Sequence, residues 1–320
     1  MQISPQQLTE AKQLPAAMRG FLLTRSTRDR NNHIEVCLWL KTPAGPVQLI
    51  VSNERAVFFV EQTAAPQAES ALNQEAIYLD EIKPVALKAF NQVSVVALYF
   101  STLREFYQAR EVLKQWGIKC YEDDIRPDDR FLMERFITAD ITFAGQKANV
   151  LLTGSHQYRR FEQAKCKRVD KALQKDITLT TVSLDIECSM SGELYSIGLY
   201  SEHCQQVLMI ADQQEITREQ AKTTDIDIVW QADEKQLLTN LLLWFSDHDP
   251  DIIIGWNVIN FDFDLLQKRY DLHGVKFTLG RDGTTPYWRK NKASEQQFIE
   301  IAGRVVLDGI DLLKTATYNF

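Results

Sequence analysis

The sequence is poor in the residues that mark zinc-binding or disulfide-rich proteins. Its five cysteines include no Cys-x-x-Cys pair, and its five histidines do not cluster. Both absences argue against a zinc site and against a disulfide framework. No run reaches the roughly 18 apolar residues of a membrane-spanning helix, and the first residues lack the basic and then apolar segments of a secretory signal. We therefore expect a cytoplasmic protein without a membrane anchor.

What is present is an ordinary globular composition. The chain has 320 residues, of which 45% are apolar and 25% are charged, which is long enough for about two domains. The net charge of −7 argues against a protein that coats nucleic acid by bulk electrostatics. It leaves room for a local basic groove beside an acidic pocket that binds metal.

The first half of the chain predicts a small α+β domain over residues 19–148. Residues 1–18 are polar and rich in Gln, which is typical of a flexible N-terminal extension. Short apolar or alternating runs over residues 20–60 predict an antiparallel β-meander. A strand over 93–100, a helix over 102–116 and a strand from 118 then predict a βαβ unit. These patterns do not show whether the aromatic side chains form only a core or also a nucleic-acid face.

A basic run lies between the two halves of the chain. It comprises residues 158–160 and 165–171, which include Arg159, Arg160, Lys165 and Lys167. Such a run is either a solvated linker or a set of phosphate contacts next to the site that follows.

The second half, residues 149–320, predicts a ribonuclease-H-like sheet. Three strands joined by short turns are followed by a fourth strand, a helix capped by Asp233 and a short apolar strand over 252–255. This order resembles the ribonuclease H sheet, and it places acidic residues at strand ends.

Two of these acids share one face of a predicted strand. Successive side chains of a strand point to opposite faces, so Asp185 and Glu187 lie together while Leu184 and Ile186 point into a core. Two adjacent like charges are unfavourable unless a cation lies between them, and Mg²⁺ and Mn²⁺ prefer carboxylate oxygens. The alternative is an exposed polar edge of a half-buried strand.

A second acidic segment follows the apolar strand over 252–255. Asp264 is most simply a favourable charge at the start of a helix. Asp262 is different, because a buried strand that ends in Gly255 and Trp256 can bring it against the strand of Asp185.

These residues resemble the proofreading 3′–5′ exonuclease of family B DNA polymerases. Its first motif, Asp-x-Glu, matches Asp185 and Glu187, and its second, Asn-x-x-x-(Phe/Tyr)-Asp, matches Asn257, Phe261 and Asp262. Stretches that look like bacterial members of the family occur at 130–138, 192–199 and 303–310. The resemblance covers nearly the whole chain from about residue 19.

The resemblance implies hydrolysis of the 3′-terminal phosphodiester with two divalent cations, Mg²⁺ or Mn²⁺. Asp185 would bridge both ions, Glu187 would bind the one that generates hydroxide, and Asp262 would hold the other. Asn257 and Phe261 would contact the 3′ end, although core packing is an equal alternative for Phe261. DNA is the implied partner, as a single-stranded 3′ end or a primer-template, in a nucleoid-associated protein. A sliding clamp would bind through regions that this chain lacks.

Two departures from the family pattern matter. The third exonuclease motif, Tyr-x-x-x-Asp, is absent, and so are the polymerase acids. Asp308 and Asp311 match a strand and helix ahead of that motif and are not expected to replace it. We therefore expect an N-terminal fragment of a polymerase, monomeric and nearly inactive alone.

Two other hypotheses about the function stay open. One is a stand-alone exonuclease of the same acidic type, and another is a non-catalytic module that binds nucleic acid. A further hypothesis is that the basic residues over 281–292 line the path of DNA to the site.

Overall fold

The computed structural model describes residues 17–148, 158–169, 177–211, 226–290 and 296–315. These residues form two compact units. The first comprises residues 17–38, 47–148 and 159–169, and the second takes the remaining described residues, including the hairpin 39–46. The predicted flexible extension lies almost wholly outside the described residues, and a domain boundary after residue 148 stays a prediction. None of the described helices is both long and apolar enough to span a lipid bilayer.

The first unit contains a closed barrel and a separate sheet. Its strands are β1 (Met18–Arg30), β2 (His33–Thr42), β3 (Gly45–Glu54), β4 (Ala56–Glu61), β5 (Glu81–Lys88), β6 (Ser94–Phe100), β7 (Cys120–Tyr121), β8 (Asp140–Ala148) and β9 (Arg159–Arg168), with the ends of β2 and β3 within 39–46 counted in the second unit. Its helices are α1 (Ala65–Gln74), α2 (Leu103–Gln115) and α3 (Pro127–Glu134). The barrel order is β1-β2-β3-β9-β8, and the sheet order is β5-β6-β4-β7.

The predicted meander holds for β1 to β3, but β4 leaves it. Its side chains contribute Phe58 to a core with Phe100 and Phe106, and the Phe58 and Phe100 rings lie 5.2 Å apart. The predicted βαβ unit is confirmed as β6, α2 and β7. Thr102 caps α2 by accepting a hydrogen bond from the Glu105 N–H, at 3.1 Å.

The basic run between the halves is not a linker where the structure describes it. Residues 159–168 form β9, which pairs with β3 and β8 inside the barrel. Lys165 and Lys167 are exposed, whereas Ala164 is buried and Cys166 is half-buried; Arg168, the last residue of β9, is exposed as well. The alternation of a strand, with every second side chain facing outward, therefore explains the exposure of Lys165 and Lys167.

The second unit is built on a six-stranded sheet. Its strands are β10 (Thr181–Cys188), β11 (Leu194–Ser201), β12 (Gln205–Ile210), β13 (Asp227–Gln231), β14 (Ile252–Gly255), β15 (Tyr287–Lys290), β16 (Gln297–Glu300) and β17 (Val305–Asp308). Its helical segments are α4 (Glu234–His248), a π-helix (Val258–Phe263), α5 (Asp264–Leu272) and α6 (Gly309–Thr315). The sheet order is β13-β12-β11-β10-β14-β17, and β15 and β16 form a separate pair.

This topology confirms the predicted ribonuclease-H-like class. Strands β10, β11 and β12 are antiparallel, whereas β14 and β17 run parallel to β10. Asp233 caps α4 as predicted, accepting from the Gln236 N–H at 2.8 Å. The apolar strand β14 is less buried than predicted, because Ile254 is 38% exposed whereas Ile253 is fully buried.

A cluster of buried ions lies at the opposite end of β14 from its carboxyl end. Arg281 is fully buried and donates to Asp249 at 2.8 Å and to Asp251 at 2.7 Å. Arg304, also buried, lies 2.9 Å from Asp249, and Lys41 lies 2.8 Å from Asp251. Burial of an unpaired charge would cost several kcal/mol, and these pairs compensate the buried charges of Arg281 and Asp251.

Candidate active site

Three parallel strands end at the same edge of the second unit's sheet. The β10–β14 register runs to Ser183 and Ile254, and the β14–β17 register ends with Gly255 opposite Asp308. The carboxyl ends of parallel strands are where ligands bind in sheets of this type. Asp185, Asp262 and Asp308 all lie at this edge.

The predicted alternation along β10 is confirmed. Asp185 and Glu187 are exposed, whereas Leu184 and Ile186 are buried in the core. The pairing with β11 then shifts register between Glu187 and Cys188, an irregularity of the β-bulge kind. Bulges re-aim side chains and are common beside active sites.

Space is available next to the Asp185 carboxylate. The residue opposite Asp185 on β11 is Gly198, which has no side chain to fill the face. A shallow cavity of about 180 Å³ lies here, with Asp185, Gly198 and Tyr200 in its lining. A small polar or planar group could therefore approach Asp185 from solvent.

The turn after β14 is tightly constrained. A Cβ atom on Gly255 would lie 2.8 Å from the Leu184 carbonyl oxygen, so only glycine fits. Asn257 has a left-handed φ of 59°, which Asn tolerates better than most residues. The turn leads into the π-helix, a rare form that is often found at functional sites.

Asp262 lies on this π-helix and points at β10. Its side chain is 1% exposed, and Oδ1 accepts a hydrogen bond from the Ile186 N–H at 3.1 Å. That amide lies between Asp185 and Glu187 in the sequence. The structure thus brings Asp262 against β10, the strand that carries Asp185 and Glu187.

Burial and like charges raise the pKa of Asp262 to about 7. Burial is the largest cause, because a carboxylate loses its hydration in a low-dielectric site. The negative charge of Asp185 adds to it, and that of Asp308 contributes further. A carboxyl group with such a raised pKa is a mark of a functional site.

The described residues fit a divalent cation only in part. Asp185 and Asp262 supply hard oxygen donors whose mutual repulsion a cation would relieve. Within the described residues, however, no three Asp, Glu, His or Cys side chains are grouped closely enough to hold a metal ion. Glu187 is on the same face as Asp185 but does not complete such a group.

The predicted substrate-binding residues lie on the same segment. Phe261 is 46% exposed, so its ring is not simply part of the core. The Asn257 carbonyl accepts from the Phe261 N–H at 2.9 Å, and the Asn257 N–H donates to Asp308 at 3.2 Å. Asp264 begins α5, as expected, and pairs with Lys268 at 2.6 Å.

Asp308 is the residue that sequence reasoning set aside. It is 3% exposed and ends β17 directly beside the π-helix. One signal could have found it: Asp308 follows an apolar run that ends a strand parallel to β10, and such ends meet at one edge of a sheet.

The proposed basic path over residues 281–292 is wrong for Arg281. Its guanidinium is fully buried in the ion cluster and cannot meet DNA. Arg289 pairs with Glu300 at 3.1 Å on the β15–β16 hairpin. Lys292 lies outside the described residues, so for the rest of the segment the hypothesis stays a prediction.

Comparison with known proteins decides the family. The protein family described as "DNA polymerase family B, exonuclease domain" matches residues 118–319. The chain belongs to the family B DNA polymerases. The family described as "DNA polymerase II, N-terminal" matches residues 20–54 of this chain as well.

Individual relatives agree with this family. DNA polymerase II of Escherichia coli (strain K12) is 35% identical over 307 residues, which are 95% of this chain and 37% of that protein. A DNA polymerase of Archaeoglobus fulgidus is 23% identical over 302 residues, 92% of this chain and 35% of that protein. This family B chain therefore spans little more than a third of the length of these relatives.

A solved structure shows the same fold. The family B DNA polymerase of the hyperthermophilic archaeon Pyrobaculum calidifontis matches with a TM-score of 0.73 at 18% sequence identity. The match covers 93% of this chain and 37% of that chain.

Proposed function

We propose that this chain forms part of a 3′–5′ exonuclease that removes the terminal nucleotide of a DNA strand within a DNA polymerase. The observation that carries the proposal is the hydrogen bond from the Ile186 N–H to Asp262. It ties the two acidic motifs together at the sheet edge where ligands bind. Membership of the family B polymerases supports the same reaction.

In this proposal Asp185, Glu187 and Asp262 would hold Mg²⁺ or Mn²⁺. Two such cations, when bound, stabilise the attacking water and the leaving 3′-oxygen of a phosphodiester. Burial raises the pKa of Asp262 most, and repulsion from Asp185 adds to it; this repulsion is the electrostatic reason to expect a cation there.

The remaining site residues would position the DNA. The exposed Phe261 ring can stack on the terminal base, since base stacking on aromatic rings tolerates any sequence. Asn257 would contact the same 3′ end from the start of the π-helix. The open face at Gly198 leaves room beside Asp185 for the scissile phosphate.

We infer that the 320 residues alone trim DNA only weakly. The sequence has no Tyr-x-x-x-Asp motif, and the described residues offer no group of three metal ligands. Efficient Mn²⁺-dependent trimming of single-stranded DNA by the purified chain, abolished in Asp185→Ala, would contradict this inference.

The test of the function uses the full-length product of the gene. Asp185→Asn and Asp262→Asn should each lower 3′ trimming of a primer by at least about 100-fold while DNA synthesis continues, because each removes a metal ligand. Asp264→Asn is the matched control, since this acid lies two residues further on and pairs with Lys268 instead. Unchanged trimming in both site variants would rule the proposal out.

Partners and location follow from the same proposal. DNA is the proposed substrate, so a nucleoid-associated protein in the cytoplasm is proposed with it. A sliding clamp is a proposed partner of the longer polymerase, and a pull-down with the full-length product would test it.

A further inference from the structure

Both oxygens of the Asp308 carboxylate accept hydrogen bonds from backbone N–H groups. Oδ1 accepts from Asn257 at 3.2 Å and from Ile310 at 2.9 Å, and Oδ2 accepts from Ile259 at 3.0 Å. The side chain is 3% exposed. Three donors to one buried carboxylate form a strong anchor, because hydrogen bonds to charged groups are stronger than neutral ones.

Two of these donors fix the turn that leads into the π-helix. Asn257 has left-handed backbone angles, and Ile259 is the second residue of the π-helix. Both N–H groups lie at the first turn of a helix, where no carbonyl of the helix itself can accept them. Asp308 supplies the acceptor from the neighbouring strand β17.

Packing locks the same turn from two further sides. A Cβ atom on Gly309 would lie 3.0 Å from the Trp256 ring, so Trp256 packs closely on the residue after Asp308 and a side chain there would displace its ring. A Cβ atom on Gly255 would contact the Leu184 carbonyl oxygen of β10 at 2.8 Å. The turn is therefore wedged between β10 and β17, and Asp308 is its polar anchor.

The far end of the π-helix carries Asp262. The β10–β14 pairing ends at Ser183 and Ile254, and Asp262 supplies the acceptor for the Ile186 N–H. The position of the Asp262 carboxylate against β10 thus depends on where the π-helix starts. Asp308 fixes that start.

We propose that Asp308 is a positioning residue of the exonuclease site, which holds Asp262 against β10 through the first turn of the π-helix. This inference rests on the proposed function for its catalytic meaning. Asp308 does not act as a metal ligand in this account, because its oxygens already accept three N–H groups.

Hydrogen exchange of single amides in the 320-residue chain tests the inference. Asp308→Asn keeps the shape but loses one acceptor and the charge. Exchange at Asn257 and Ile259 should rise by about tenfold, the effect of losing a hydrogen bond to a charged acceptor. The decisive amide is Ile186, which does not touch Asp308: its exchange should rise as well, measured relative to the core amide of Leu184.

Asp311→Asn is the matched control. It removes the same charge three residues away, where no side-chain hydrogen bond of Asp311 is found among the described residues, and it should leave all three amides unchanged. If Asp308→Asn speeds exchange at Asn257 and Ile259 but leaves Ile186 as in the wild type, Asp308 anchors only its own turn and the inference is wrong.

A second arm separates this inference from the proposed function. Mn²⁺ binding to the chain is followed by the electron paramagnetic resonance signal of free Mn²⁺. Asp308→Asn should weaken binding by about tenfold, whereas Asp185→Asn should weaken it without changing exchange at Asn257. A wild-type chain that binds no Mn²⁺ would contradict the proposed function, while the Ile186 result would still decide the role of Asp308.

Discussion

Replacing Asp262 with Asn should make the metal-free chain more stable at neutral pH. The change removes a buried charge beside Asp185 and keeps an oxygen that can accept from the Ile186 N–H. The pKa of Asp262 is raised from 3.8 to about 7, mainly by burial and then by Asp185. The folded chain therefore holds a proton that the unfolded chain has already lost between these two values.

The direction and size of the effect follow from proton linkage. Below pH 3.8 the Asp262 carboxyl group is protonated in both the folded and the unfolded chain, and its contribution to the unfolding free energy is complete. As pH rises toward 7, each pH unit costs the wild type about 1.4 kcal/mol of unfolding free energy. Over this range the loss reaches about 4 kcal/mol. Asp262→Asn has no such titration, so its advantage should grow by about that amount between pH 4 and pH 8.

Urea unfolding in EDTA at a series of pH values measures this difference. Comparing each variant with the wild type at the same pH cancels the titration of all other groups. Asp264→Asn, which removes an acid that pairs with Lys268, should show a constant difference. A constant difference for Asp262→Asn as well would refute the reasoning that burial and Asp185 perturb this carboxyl group.

Four other variants, one of them a control, test the scaffold and the substrate contact. Arg281→Met leaves the fully buried Asp251 with Lys41 in place of a buried arginine and should lower the unfolding free energy by about 3–5 kcal/mol. Arg289→Met, on a half-exposed pair, should cost less than about 1 kcal/mol, and similar losses in the two variants would contradict the buried cluster. Gly255→Ala should cost about 1–3 kcal/mol in urea unfolding, because the new Cβ meets the Leu184 carbonyl. Phe261→Ala should leave stability within about 0.5 kcal/mol but weaken binding of a single-stranded oligonucleotide, measured by fluorescence anisotropy, and unchanged binding would remove Phe261 from the DNA contact.

Local patterns predicted the parts of the site that depend on one segment. Alternation in Ser183–Glu187 is enough to place Asp185 and Glu187 on one face, because the period of a strand is two residues. Asp233 and the leucines that follow it are enough to start α4. The order of these segments indicated the ribonuclease-H-like sheet.

Features that depend on partners far apart in the sequence were not predicted from local patterns. Arginine is almost never fully buried unless paired, and the partners that allow it for Arg281 are Asp249 and Asp251, about thirty residues earlier in the chain. In the same way Asp308 meets Asn257 and Ile259 only because β17 lies beside β14. The departure of β4 from the predicted meander reflects pairing with β6 and β7, which follow later in the chain.

Mn²⁺ binding by the purified chain tests the central claim most directly. If the acids of β10 and the π-helix form a metal site, the wild type should bind Mn²⁺, and Mg²⁺ should compete for it. Asp185→Asn and Asp262→Asn should each weaken Mn²⁺ binding by at least about tenfold, and Asp264→Asn should not. Equal Mn²⁺ binding by the wild type and both site variants, or no binding by any of them, would contradict the claim.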